Sequence, residues 1–306
     1  MVREHLDAMD AKYLVFNQRQ VADCDIRFEI ARGQVSGELR LGRGIHPLHA
    51  FRAIYARLMD DRAMPELEGE PPDSPARQHS RGFHDALNHW MEVSPAVVVN
   101  RFVPMGSNSS KAYQTQIIQA QGFLIPPTLV TSEPDEVLAF RSRYGRVIYK
   151  SLSSVRSIVQ QLDDAALARI ERIRWCPTQF QAFVAGTNVR VHVIGERVYA
   201  TAVDTEATDY RYAARQAGKA AELREVKLSD ELARRCIELA RSIGLEFAGI
   251  DLKVTSDDEV YCFEVNPSPA FSYYENNTGQ PIAQGLALRL MDADGARAEC
   301  EEAIAG

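Results

Sequence analysis

Two stretches near the carboxyl terminus, Gly249-Ile-Asp-Leu252 and Phe263-Glu-Val-Asn-Pro-Ser-Pro-Ala270, decide the fold. Each lies in a run of alternating apolar and polar residues, and the turn Ser256-Asp257-Asp258 separates the two runs. This pattern predicts a hairpin of two strands, over residues 247–254 and 259–266. The two prolines that follow the second strand give it a rigid exit, which an ordinary hairpin does not need.

The polar side chains of this predicted hairpin share one face. Because side chains alternate along a strand, Glu264 and Asn266 point the same way, and Asp251 points away from its apolar neighbours. The apolar sides are expected to carry Ile250, Leu252 and Val254 on the first strand and Tyr261, Phe263 and Val265 on the second. If Asp251 lies on the face of Glu264 and Asn266, three hard oxygen ligands converge, a set that suits Mg²⁺ bridging to nucleotide phosphates. The alternative is that the two acids are solvated polar positions flanking a hairpin.

Composition excludes several classes of protein. The chain has 306 residues, 35 Lys plus Arg against 42 Asp plus Glu, a formal net charge of −7, and 45% hydrophobic residues, which excludes a disordered chain. The acidic balance argues against nucleic acid as the main partner. No apolar run reaches about 18 residues, which argues against a membrane span. The amino terminus lacks the apolar segment of a secretory signal, and five scattered cysteines fit reduced thiols, so a cytoplasmic location is predicted.

Upstream of the hairpin, the pattern predicts alternating strands and helices. Residues 51–59 are expected to be helical, and residues 65–75, with four prolines and several acids, are expected to form a solvated loop. Ser110 is a predicted cap for a helix from Lys111 to Gln121. The alternation before residue 105 indicates an α/β lobe.

Several segments stand in a distinctive order along the chain. They are Asn108-Ser-Ser-Lys111, Gly122-Phe-Leu-Ile-Pro-Pro-Thr-Leu-Val-Thr131, Val147-Ile-Tyr-Lys150, Gln179-Phe-Gln-Ala-Phe-Val-Ala-Gly-Thr-Asn-Val-Arg190, Asp209-Tyr-Arg211, the hairpin, and Thr278-Gly-Gln-Pro-Ile-Ala283. Together, over roughly residues 95–290, they resemble the ATP-grasp superfamily. The resemblance is to RimK-type glutamate ligases and to graspetide (microviridin-type) peptide ligases. Single segments are weak signals, whereas their common order is specific.

The resemblance implies an architecture of α/β and α+β lobes: an ATP-grasp fold with an N-terminal pre-ATP-grasp α/β lobe. The implied lobes are residues 1–105 (N-terminal), 106–177 (central) and 178–306 (C-terminal). ATP and magnesium are then expected between the last two lobes.

The resemblance also implies roles for individual residues. Asp251, Glu264 and Asn266 would hold Mg²⁺, which Mn²⁺ could replace. Lys111, Lys150 and Arg156 would bind phosphates, and Arg190 and Arg211 would stabilise an acyl-phosphate, since a guanidinium offers two parallel donors to phosphoryl oxygens. The hinge beside adenine would comprise Gln179, Phe180, Gln181, Ala182, Phe183 and Val184, acting through their backbone, together with Asn188. For any single Lys or Arg, the alternative is an ordinary surface cation.

Some positions depart from the family pattern. The loop after Lys150 carries serines, residues 151–157, where many relatives have glycines. Asn188 stands where Asp is commoner, and Ala270 replaces a Gly, which argues against a left-handed turn there. His192 shares a strand face with Arg190, and a structural role is favoured over substrate contact.

The resemblance therefore implies an ATP-dependent ligase that joins a carboxylate to an amine or a hydroxyl through an acyl-phosphate. A peptide is the favoured substrate. One alternative is a RimK-like enzyme that adds an amino acid to a small metabolite or a protein terminus, and another is an inactive ATP-binding regulatory protein. Donor, acceptor, amide or ester product, and a homodimer all stay open.

Overall fold

The computed structural model describes residues 1–152, 158–205, 218–219 and 221–292. Two compact units are present. The first comprises Met1–Gly106, Gly244–Phe247 and the chain from Pro281 onward, and the second comprises Ser107–Ile243 and Ala248–Gln280. The division into three lobes stays a prediction. In the described part of the chain, no helix has the length and apolar character needed to cross a bilayer.

The helices and strands are labelled in chain order over the described residues. The α-helices are α1 Val2–Ala8, α2 Pro75–Val93, α3 Phe102–Met105, α4 Lys111–Ala120, α5 Pro134–Tyr144, α6 Asp164–Leu167, α7 Asp230–Ile243, α8 Ser272–Thr278 and α9 Ile282–Met291. The strands are β1 Cys24–Ala31, β2 Gln34–Leu41, β3 Gly44–Pro47, β4 Ala53–Tyr55, β5 Val97–Val99, β6 Thr128–Thr131, β7 Val147–Ser151, β8 Gln160–Gln161, β9 Thr178–Ala182, β10 Thr187–Ile194, β11 Arg197–Asp204, β12 Glu222–Val226, β13 Phe247–Val254 and β14 Val260–Asn266. Short 3₁₀ helices cover Gln18–Asp23, Leu48–Ala50, Asp61–Ala63, Pro65–Leu67, Gly106–Ser109 and Ile170–Trp175.

The first unit is built on the long helix α2. Ser74 caps this helix by accepting a hydrogen bond from the Arg77 amide, and Pro75 occupies its first turn. Its buried face, which includes Phe83 and Trp90, packs in one core with the antiparallel sheet β1-β2-β3. A second, two-stranded sheet pairs β4 with β5 in parallel.

One prediction for this unit is wrong, and a second holds for most of its segment but not for all of it. Residues 51–59 were expected to be helical, but β4 occupies their middle, and Ile54 pairs with Val98 of β5. A strand pairing distant in sequence here overrides the local helical spacing, because it buries the apolar side chains against a partner.

The segment 65–75 is also better anchored than a solvated loop. Leu67 within it and Met64 just before it are buried in the core. The Arg77 guanidinium donates from Nη2 to the Leu67 carbonyl (2.7 Å) and from Nε to the Glu70 carbonyl (2.9 Å). These bonds satisfy backbone oxygens that a loop would otherwise turn to water.

The second unit contains two sheets. The smaller has the order β6-β9-β7-β8 with antiparallel pairing, and its core joins Val137 of α5 to Val147 and Phe180. Strand β9 belongs to this sheet, although residue 178 was predicted to begin the C-terminal lobe. Helix α6 ends at Leu167, and the 3₁₀ helix Ile170–Trp175 follows it.

The larger sheet has the order β12-β11-β10-β13-β14. The predicted hairpin is confirmed as the antiparallel pair β13–β14 at one edge. Helix α7 packs on β10 and β11 and buries Cys236 and Leu239. Ser229 caps this helix by accepting a hydrogen bond from the Leu232 amide (3.2 Å).

A buried glutamine covers the outer edge of β14. The Gln114 side chain, on α4, donates from Nε2 to the Val265 carbonyl (2.8 Å) and accepts from the Val265 amide at Oε1 (2.9 Å). Nearby, Leu124 exchanges backbone hydrogen bonds with Val260 and Cys262. The Gln114 side chain thus makes the two hydrogen bonds to Val265 that a neighbouring strand would make, and these bonds hold α4 against β14.

Replacing Gln114 with Met should destabilise the protein. Gln114→Met leaves the buried amide and carbonyl of Val265 without partners, and each such loss costs about 1–3 kcal/mol. Helix propensity is nearly unchanged, because Gln and Met are similar helix formers. We expect a lower midpoint of urea unfolding, followed by circular dichroism.

Gln119→Met is the matched control, since Gln119 is exposed on the same helix. If the two variants unfold at the same urea concentration, the role assigned to Gln114 is wrong.

Candidate active site

The β13–β14 register brings the three predicted metal ligands to one face. Asp251 lies directly opposite Glu264, and Gly249 lies opposite Asn266. Since Gly249 and Asp251 are two residues apart, Asn266 stands beside the carboxylate pair on the same side of the sheet. Among the described residues, no three His, Cys, Asp or Glu side chains are grouped to hold a metal ion. A third ligand from this hairpin would therefore have to be the Asn266 amide oxygen.

A β-bulge in β14 changes which side chains share a face, so part of the predicted pattern of faces is wrong. The register shifts after Asp251, so that Leu252 pairs with Cys262 and Phe263 becomes the extra residue of β14. Cys262 is buried in the core, and Phe263 instead lines the cleft beside Glu264. Phe263 was expected on the side of Val265, and regular alternation gave no sign of the bulge.

Each of the two facing carboxylates is paired with a cation. Arg190 donates from Nη1 to Asp251 Oδ1 (2.6 Å), and Lys111 Nζ lies 3.1 Å from Glu264 Oε2. Lys111 also donates to Asn108 Oδ1 (2.7 Å). Because the Arg190 side chain is 6% exposed, its pairing with Asp251 is weakly screened.

Gly249 makes room for the Arg190 guanidinium. A Cβ added at Gly249 would lie 2.6 Å from Arg190 Cζ and 2.6 Å from Pro269 Cβ, well inside contact distance. On another side, the Tyr274 ring centroid lies 5.8 Å from Arg190 Cζ. The guanidinium is therefore held between β13, Pro269 and an aromatic ring, aimed at Asp251.

His192 supports the same region as a neutral residue. Its side chain is fully buried, its Nε2 lies 3.3 Å from the Ala270 carbonyl oxygen, and its ring meets Tyr274 edge-on. Burial, reinforced by the charge of Arg190, lowers the pKa of His192 to about 3, so the imidazole is uncharged at neutral pH. Ala270 has no positive φ, in line with the expectation for an alanine there.

A cleft of about 860 Å³, open solvent at its mouth included, adjoins the carboxylate pair. Its walls come from β7, β9, β10, β13 and β14 and the segment after β9. The predicted residues that line it are Lys150, Gln179, Gln181, Phe183, Val184, Asn188, Asp251 and Glu264. Phe180 and Ala182 do not line it, because alternation turns their side chains into the core. Arg156 and Arg211 lie outside the described residues.

Several other cleft residues were not predicted from the sequence to line the cleft. Lys253, on the same face of β13 as Asp251, reaches the cleft with Ile148, Tyr149 and Phe263. Gln179 was predicted only for its backbone, yet its side chain is 5% exposed and, among the described residues, its Oε1 has no hydrogen-bond partner. The alternation along β9 identifies Gln179 as a cleft residue, and the alternation along β13 places Lys253 on the face of Asp251.

Comparison with known proteins gives a consistent result. The family model described as the RimK-like ATP-grasp domain matches residues 109–290. A probable alpha-L-glutamate ligase of Alkalilimnicola ehrlichii is 26% identical over 212 residues, 66% of this chain and 69% of that protein. One from Aliivibrio salmonicida is 28% identical over 225 residues, 70% of this chain and 73% of that protein.

Solved structures share the fold over nearly the whole chain. The macrocyclase MdnC of Microcystis aeruginosa, bound with precursor peptide MdnA, has a TM-score of 0.76 at 21% identity and covers 94% of both chains. A RiPP-associated ATP-grasp ligase of Chryseobacterium gregarium, with ADP and a leader and core peptide, has a TM-score of 0.78 at 21% identity, covering 95% of this chain and 92% of that one. PsnB, complexed with a minimal precursor variant, Mg and ADP, has a TM-score of 0.73 at 24% identity, covering 96% and 93%. The predicted ATP-grasp fold is confirmed.

Adding a methyl group at Gly249 should disturb the site. Gly249→Ala places Cβ against the Arg190 guanidinium and Pro269, and overpacking of this kind costs roughly 1–3 kcal/mol. We expect a lower midpoint of urea unfolding, followed by circular dichroism.

Gly82→Ala serves as the comparison, since no atom lies within 4 Å of a Cβ built there and the residue is inside α2. That variant should be at least as stable as the wild type. If Gly249→Ala unfolds at the same urea concentration as the wild type, Arg190 does not need a residue without a side chain at position 249.

Proposed function

The chain belongs to the RimK-like ATP-grasp family, and from this we propose that it uses ATP to activate a carboxylate as an acyl-phosphate and joins it to an amine or hydroxyl of a peptide. It is an ATP-grasp ligase. The observation that carries the proposal is the facing pair Asp251 and Glu264, which lies at the wall of an open cleft.

The residues at the carboxylate pair fit a magnesium ion. Two carboxylates and the Asn266 amide oxygen are hard donors of the kind that Mg²⁺ takes in proteins. Asn266 Oδ1 accepts from the Ser268 amide (2.9 Å), which orients it and leaves a second lone pair. When bound, the metal would neutralise charge on the transferring phosphoryl group. Mn²⁺, which prefers the same oxygen ligands, is part of the proposal.

The cations around the cleft suit the rest of the nucleotide and the reacting group. Lys150 and Lys111 are proposed to bind phosphates as point charges. Arg190 is proposed to hold the oxygens of the acyl-phosphate through parallel guanidinium donors, in a pocket that is largely shielded from water. Arg156 and Arg211 keep their predicted roles in phosphate and acyl-phosphate binding.

The hinge would hold the adenine. Gln179, Gln181, Phe183, Val184 and Asn188 line the cleft with their side chains. Backbone groups of the segment after β9 are proposed to bind the edge of the base, while apolar side chains contact its faces.

Solved structures with the same fold favour a peptide substrate. MdnC is bound with a precursor peptide and PsnB with a variant of a minimal precursor, and these structures cover 94% and 96% of this chain. Addition of an amino acid is the second candidate, because the curated relatives are named probable alpha-L-glutamate ligases. An inactive ATP-binding regulator is disfavoured by the intact, in-register carboxylates. A homodimer stays open, and a cytoplasmic location stays a prediction.

Loss of either carboxylate should abolish ATP turnover. Asp251→Asn and Glu264→Gln keep the side-chain shape but remove the charge that a metal ion needs, and we expect kcat to fall on the order of 100-fold or more. ADP release in the presence of Mg²⁺ and a substrate peptide measures the effect, and far-UV circular dichroism checks the fold. Glu259→Gln, an exposed residue just before β14, is the control and should keep wild-type turnover. Activity in both site variants would refute the metal assignment.

Mass spectrometry separates the two candidate reactions. With ATP, a peptide that is closed on itself loses one water for each bond formed, whereas a peptide or metabolite that receives glutamate gains one glutamyl residue. We expect loss of water from peptides encoded beside this gene. A glutamyl adduct as the only product would establish the amino-acid ligase instead.

A further inference from the structure

Lys253 occupies a distinct position in the cleft. It lies two residues beyond Asp251 on β13, on the same face and about 6.6 Å further along the strand. It is partly buried, and its Nζ lies 5.2 Å from the ring centroid of Phe183 and 5.8 Å from that of Phe263. Lys253 therefore stands between the hinge segment and the bulged residue of β14.

The ammonium group has unused hydrogen-bonding capacity. Among the described residues, no carboxylate lies within 4.0 Å of Lys253 Nζ and no acceptor is hydrogen-bonded to it. The Arg146 guanidinium lies 3.7 Å from the centroid of the same Phe183 ring. The two rings attract the cation, but an ammonium group carries three donors that rings leave largely unused. A ligand atom with a lone pair would complete this environment.

The position of Lys253 favours the base over the phosphates. Three of the groups proposed to bind metal and phosphate, Asp251, Glu264 and Lys111, gather at one part of the hairpin. The rings of Phe183 and Phe263 lie beside Lys253, and Ile148 and Val184 are further apolar residues of the same cleft. Such walls suit a flat aromatic ring, and a ring nitrogen is the acceptor that such a ligand offers.

We propose that Lys253 is a specificity-determining residue that donates a hydrogen bond to a ring nitrogen of the purine base. This inference rests on the proposed function. Because a lysine can donate but not accept, it selects a base edge that presents an acceptor at this place. The Phe183 and Phe263 rings hold the ammonium group on the side of the hinge.

Nucleotide binding tests the proposal without catalysis. Isothermal titration with ADP, free of magnesium, compares the wild type with Lys253→Met, which keeps an unbranched side chain of similar length. A charged hydrogen bond is worth a factor of roughly 10 to 100 in affinity, so we expect ADP to bind that much more weakly to the variant. Lys227→Met, at an exposed lysine away from the cleft, should bind ADP like the wild type. Thermal melts establish that all three proteins are folded.

Base analogues identify the atom and separate hydrogen bonding from packing. ADP analogues that lack N1, N3 or N7, each replaced by carbon, are titrated against both proteins. The wild type should bind one of them about 10-fold or more weakly than ADP, and Lys253→Met should not discriminate against that analogue. The proposal is overturned if the variant binds ADP as tightly as the wild type, or if it keeps the same preference among the analogues. If the wild type binds ADP, either result for Lys253→Met leaves the proposed function standing. If the wild type binds no ADP either with or without Mg²⁺, both proposals are overturned.

Discussion

The facing positions of Asp251 and Glu264 impose the constraint on which the second unit depends. Directly opposed residues of an antiparallel pair have Cβ atoms about 4.5–5.5 Å apart, and like charges at such positions repel. Arg190 and Lys111 balance the two negative charges with two positive ones. The pair is therefore tolerable without a bound ion, but only while both cations are held in place.

Much of the surrounding structure holds them there. Arg190 reaches Asp251 across a β13 residue that has no side chain, Gly249, and it is backed by the ring of Tyr274. Lys111 begins α4, and Gln114, one turn later, hydrogen-bonds this helix to the edge of β14 beside Glu264. His192 braces the chain after β14 as an uncharged imidazole, and so adds no further charge next to Arg190.

The sequence predicted those parts of this arrangement whose signals are local. Alternation identified β13 and β14, and the predicted cap Ser110 marked the start of α4. It failed where distant segments decide the outcome: the strand within 51–59 exists because β5 pairs with it, and the bulge at Phe263 depends on its partner strand. Gln114 is an ordinary polar residue in the sequence. Alternation places Lys253 on the face of Asp251, but only the tertiary structure shows the two aromatic rings beside it.

The location of the bulge has a consequence for the chemistry of the cleft. Because the extra residue is on β14, β13 keeps its regular alternation, and Gly249, Asp251 and Lys253 follow one another on a single face. A bulge after Asp251 on β13 would turn Lys253 toward the core, where an ammonium group has no water and no anion. With the bulge on β14, Phe263 instead turns into the cleft and supplies an aromatic wall. The bulge at Phe263 thus leaves Gly249, Asp251 and Lys253 on one face of β13. It also adds an apolar surface that a flat ligand can contact.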